Sequence, residues 1–125
     1  MSHVKSTNTK PEILVRRFLF AHGFRFRLYR KDLPGKPDIV LPKYKTTIFI
    51  NGCFWHGHVG CKYSTLPETN QEFWNNKISG NVERDKITYS KLQSLGWKVI
   101  VIWQCQLKAK SRELTLSNLI TELQK

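Results

Sequence analysis

Cys53, Cys61 and Cys105 are all the cysteines of this 125-residue chain, and they fall where two apolar runs end. The stretch Ile50-Asn51-Gly52-Cys53-Phe54-Trp55-His56-Gly57-His58-Val59-Gly60-Cys61 follows the β-branched run Thr46-Thr47-Ile48-Phe49, and Cys105 lies just past Trp97-Lys98-Val99-Ile100-Val101-Ile102-Trp103. Three thiolates and an imidazole on neighbouring strand ends make a closed tetrahedral zinc site of the structural kind, with no position left for water. Cysteine is also a common core residue, and a lone histidine is usually a satisfied polar group. Here one site consumes every cysteine, which favours zinc. Spacing alone leaves open whether His56 or His58 completes it. Such a site constrains the fold strongly, because it holds two strands distant in sequence side by side.

Hydrophobic periodicity supplies the remaining elements. Thr9-Lys10-Pro11-Glu12 has the form of a capping box with proline in the first turn, and Ile13, Leu14, Phe18 and Ala21 recur at helical spacing, predicting a helix from about Lys10 to His22 before Gly23. Phe24, Phe26 and Leu28 alternate with Arg25, Arg27 and Tyr29, which predicts a half-buried strand with a basic outer side. After the turn Leu33-Pro34-Gly35-Lys36-Pro37, two short runs, Asp38 to Leu41 and Thr46 to Ile50, flank Pro42 to Lys45 as a hairpin. A long helix is expected from about Asn70 to Gly96, broken near Gly80, with Leu92 and Leu95 inward. The apolar run from Trp97 to Trp103 predicts the central strand, its two tryptophans in the core. Leu116, Leu119, Ile120 and Leu123 trace a terminal amphipathic helix. The order is helix, three strands, helix, strand, helix, which gives an α/β class: one domain, residues 1 to 125, with a mixed central sheet flanked by helices.

Charge narrows the partner. The chain carries 21 Lys and Arg against 9 Asp and Glu, a net +12, and more than half of that excess lies in residues 1 to 31, where Glu12 is the lone acid. Lys5, Lys10, Arg16 and, further on, Lys36 suit the phosphates of a nucleic acid. No run approaches the roughly 18 apolar residues of a membrane span. The start lacks a signal peptide's apolar core, so the expected location is cytoplasmic. Asp38, after Pro37 at the start of a strand, suits the strand-borne carboxylate that holds magnesium in nucleases, though a turn residue reads the same way. Glu12 and Asp85 are equally open to plain helix capping. Phe54 and Trp55, set between the zinc ligands beside basic charge, suit wedging between bases, whereas core packing competes for Trp74.

Taken together, Thr9 to Glu12, Leu33 to Asp38, Ile48 to His58, Glu72-Phe73-Trp74, Asn81-Val82-Glu83-Arg84-Asp85, Leu95-Gly96-Trp97 and Trp103-Gln104-Cys105 resemble the very-short-patch repair (Vsr) DNA mismatch endonucleases, in that family's order. The resemblance implies a restriction-endonuclease-like fold with a structural zinc, and magnesium-dependent nicking of double-stranded DNA next to the T of a T:G mismatch arising from 5-methylcytosine deamination. It implies Asp38 and the Ile50 carbonyl on magnesium, Glu12 acting on a metal through water, His56 as general acid or base, and Asp85 as an acidic partner supporting the site. Zinc falls to Cys53, His58, Cys61 and Cys105. Phe54, Trp55 and Trp74 form the wedge at the mismatch, and Lys5 and Lys10 keep part of the role of the family's DNA-clasping N-terminal arm, much of which is expected to be missing. A monomer working with other mismatch-repair proteins is implied. Two further departures stand out: Asn51 occupies the catalytic position where the family has a second histidine, and the loop from His58 to Cys61 is one residue longer. The competing functions are a non-catalytic zinc-bearing module for distorted DNA and a related endonuclease of a restriction or mobile element acting on matched DNA.

Overall fold

The computed structural model describes residues 10–28, 30, 32–35, 37–53, 56–58, 61, 68–108 and 110–124. The expected Thr9 cap, Tyr29 and the contacts expected of Lys5, Lys36, Phe54 and Trp55 lie outside these residues. The first helix, α1 (Lys10–Ala21), turns Val15 and Leu19 inward. It stops at Gly23, whose φ of 82° is left-handed. The Gly23 N–H donates to the Phe20 carbonyl and the Phe24 N–H to that of Leu19, a Schellman closure sealed by buried Phe24.

Strand β1 (Ile39–Leu41) runs through a 3-10 turn at Pro42–Tyr44 into β2 (Thr46–Asn51), the expected antiparallel hairpin. Helix α2 (Gln71–Ser94) then crosses over to β3 (Lys98–Trp103), which pairs with β2 in parallel, and α3 (Arg112–Leu123) closes the described chain. Period-two alternation sends the strand side chains to two cores. Ile39, Leu41, Ile48 and Ile102 meet Val15 and Leu19 of α1 and Leu116, Leu119 and Leu123 of α3. Val40 and Phe49 meet Leu92 and Tyr89 of α2 on the opposite face. The expected mixed sheet flanked by helices is therefore present.

Four expectations are corrected. The segment from Phe24 to Leu28 makes a single antiparallel bridge, Arg27 to Val40, instead of a strand, although Phe24, Phe26 and Leu28 do pack inward. The central strand is β2, with β3 on its flank in the order β1-β2-β3; both faces of β2 are buried, and its Thr47 hydroxyl donates to the Lys98 carbonyl. Helix α2 runs through Gly80 unbroken, since its N–H ladder needs no side chain there. Leu95 is 57% exposed because it lies past the helix, where its N–H caps Lys91, while Gly96 (φ 91°) and Trp97 repeat the Gly23–Phe24 closure.

Candidate functional site

Parallel pairing sets Asn51 of β2 opposite Trp103 of β3, so both strands end at one edge of the sheet. Ligands characteristically collect at the carboxyl ends of such strands. Cys53 stands two residues beyond the first end and Cys105 two beyond the second, on a 3-10 turn at Gln104–Leu107. The backbone coils back between them: the His56 N–H donates to Gly52, His58 to Cys53 and Cys61 to His58. Gly57 lets this coil sit on α2, since a Cβ there would lie 2.8 Å from Ile78 Cγ2. As a result the ligand atoms of Cys53, His58, Cys61 and Cys105 all lie within 4.8 Å of one another.

Four ligands 2.0 to 2.3 Å from a tetrahedral centre are separated by roughly 3.5 Å, so the cluster fits a metal with little adjustment. Partial burial and the neighbouring Cys53 and Cys61 push the Cys105 thiol up to about 12, so its thiolate form needs a neighbouring cation. Trp103 is not the plain core residue expected of it. Its ring stacks on His58 with centroids 4.1 Å apart and planes 2° off parallel, fixing the imidazole while His58 Nδ1 stays 3.4 Å from Cys105 Sγ. The histidine left open by spacing is thus assigned by geometry: His58 is in the cluster.

His56 points elsewhere. Its Nδ1 lies 2.7 Å from Asp85 Oδ2 on α2, both groups partly exposed. A carboxylate on one ring nitrogen orients the imidazole and leaves Nε2 for a reacting group. On the hairpin side, Asp38 Oδ2 accepts the Ile50 N–H at 2.7 Å and its carboxyl hydrogen-bonds Glu12, which is only 4% exposed in the first turn of α1. Burial first, then the charge and hydrogen bond of Glu12, push Asp38 up to about 7, against the opposing pull of the Ile50 N–H and Arg16. Two adjacent buried carboxyls require either a shared proton or a cation, and oxygen donors alone suit a hard divalent ion.

Because the folded state holds this proton more tightly than the unfolded chain, its contribution to stability is complete below pH about 4 and is lost as pH rises towards about 7. In cation-free buffer the protein should melt lower at pH 8 than at pH 5.5, by roughly 5 °C from this group. Asp38→Asn should remove most of that difference. Parallel melting curves for the two proteins across this range would refute the coupling.

Asn51, 3% exposed at the end of β2, donates from Nδ2 to the Tyr89 hydroxyl of α2 at 2.9 Å. Tyr89 escaped the sequence reading, where nothing but its place in a helix marks it. Among the residues expected to touch DNA, Lys10 is exposed at the start of α1, and Trp74 is half-buried in the first turn of α2, edge-on to exposed Phe73. Arg16 turns back onto Glu12, 3.1 Å away, with most of its surface covered. No helix among the described residues is long and apolar enough to cross a membrane.

Comparisons with known proteins give the chain's relatives. Residues 1–62 match the family model of the DNA mismatch endonuclease Vsr. The type II nicking enzyme V.NmeAIP of Neisseria meningitidis is 50% identical over 125 residues, covering 98% of this chain and 88% of that protein. V.XorIIP of Xanthomonas oryzae is 50% identical over 107 residues, 86% of this chain and 78% of its own length. The DNA mismatch endonuclease Vsr of Escherichia coli is 40% identical over 112 residues, 90% of this chain and 71% of that enzyme. Fold, site and relatives together define a DNA endonuclease of the restriction-endonuclease-like class. Within that class, the chain belongs to the family of the DNA mismatch endonuclease Vsr.

Proposed function

We propose that the protein nicks one strand of duplex DNA next to the T of a T:G mismatch by magnesium-dependent phosphodiester hydrolysis, initiating short-patch repair. The observation that carries this reading is the placing of two pairs, Asp38 with Glu12 and His56 with Asp85, at the sheet edge that also bears the Cys3His cluster. Asp38 and the carbonyl of Ile50 would hold magnesium, with Glu12 acting on it through water; when bound, the ion neutralises charge at phosphorus and lowers the pKa of attacking water. His56, oriented by Asp85, handles the proton at the reacting oxygen through Nε2. Cys53, His58, Cys61 and Cys105 hold zinc, the ion that three thiolates and an imidazole favour. Phe54 and Trp55, which fall between zinc ligands in the sequence, open the base stack together with Trp74, and the net charge of +12 supplies salt-sensitive affinity for phosphates.

The E. coli relative is named a mismatch endonuclease, and two relatives at 50% identity are named nicking enzymes, which supports cutting of a single strand. Strand-labelled duplexes carrying T:G in varied contexts, with T:A controls, test the reading. A nick beside T that requires both the mismatch and magnesium is expected. Equal cutting of the T:A duplex would transfer the enzyme to matched DNA, as in a restriction or mobile element.

A further inference from the structure

The centre has a third polar pair that the roles above leave unused. Asn51 stands just before Gly52-Cys53, 3% exposed, and a buried amide cannot exchange protons at neutral pH. Its Nδ2 is instead directed at the Tyr89 hydroxyl, 2.9 Å away across the gap between β2 and α2. Asn51 directly follows Ile50, whose N–H holds Asp38, and Tyr89 lies one helical turn beyond Asp85, the partner of His56. The phenol therefore stands between the two halves of the site, within electrostatic reach of both Asp38 and Asp85. Its ring is held edge-on by Phe49, with centroids 5.0 Å apart. With the amide donating to the phenolic oxygen, the O–H itself has no acceptor among the described residues.

We propose that Tyr89 is a further catalytic residue: aligned by Asn51, its O–H donates a hydrogen bond to a nonbridging oxygen of the scissile phosphate. A neutral donor suits this place, because a fixed dipole aimed at charge developing on the phosphate lowers the barrier without reorganising. Burial, opposed in part by the Asn51 hydrogen bond and assisted by the charges of Asp85 and Asp38, raises the phenol's pKa, which keeps its proton in place. The proposal rests on the endonuclease site described above.

Single-turnover cleavage by the metal-loaded protein, on whichever duplex the wild type cuts, tests it. Tyr89→Phe keeps the ring and its contact with Phe49 and removes only the hydroxyl. Its rate should fall about 100-fold, while affinity for uncut duplex in calcium, metal content and melting temperature stay close to wild type. A rate within twofold of wild type overturns the proposal, including the case where the melting temperature drops, which is what a purely structural phenol would do. Asn51→Leu provides the second reading: it leaves the O–H but frees its orientation, so a smaller loss than in Tyr89→Phe is expected, and a larger one would place the function in the amide instead. A wild type that cuts no duplex at all would remove the site reading, and the role of Tyr89 with it.

Discussion

Replacing Asp38 with alanine should lower single-strand cleavage by about a thousandfold or more, while binding to the same duplex in calcium changes little. The reason lies in what the carboxyl costs and supplies. Pushed up to about 7 by burial and by Glu12, it gains nothing for the fold as a free carboxylate at neutral pH, so its loss leaves a protein that still folds. What disappears is the oxygen donor that pairs with Glu12. The Ile50 N–H also loses its acceptor, a loss of about 1 to 3 kcal/mol. Asp38→Asn separates the two effects, keeping an acceptor for Ile50 without the charge, and should be nearly as inactive. Rapid nicking by either folded variant would show that the cation, if required, is held elsewhere.

The second large effect belongs to the cysteine cluster. Cys105→Ser removes the ligand that ties the end of β3 to the coil after β2, leaving Cys53, His58 and Cys61 with an open position. Because ligand binding by a folded site is folding energy, the variant should lose several kcal/mol, a fall of roughly 10 °C or more in melting temperature, together with most of its bound metal. Activity should fall too, since His56 lies three residues from Cys53 on the same coil. A variant that keeps both its metal and its melting temperature would mean that the cluster is not a structural ion site.

Much of this was legible in the residues. The stops at Gly23 and Gly96, the hairpin around Pro42–Tyr44 and the amphipathic α3 are written in local chemistry: a left-handed glycine followed by a buried aromatic, a turn-forming proline, a repeat of leucines. The cluster could be read because all three cysteines had to be accounted for. What failed was whatever depended on a distant partner. The alternation from Phe24 to Leu28 describes which way side chains face, and it is satisfied by core packing with a single bridge. The apolar run of β3 signals burial but not position, and the hydrogen bonds that make β2 central come from both neighbours. Trp103 looks like core until His58 is known to lie flat against it. Tyr89 has no local signature, as its meaning comes entirely from Asn51, 38 positions earlier.

The two halves of the site also differ in how far the chain must travel to assemble them. Asp38 and Ile50, 12 positions apart, meet as soon as the hairpin closes. His56 reaches Asp85 across 29 positions, and His58 reaches Cys105 across 47, contacts that exist only after α2 has formed and β3 has docked in parallel. Closing long loops is slow, and parallel strands cannot pair before their crossover is in place. A chain still leaving the ribosome therefore forms the Asp38–Ile50 contact before the His56–Asp85 pair, and its four-ligand cluster closes only when its last third is folded.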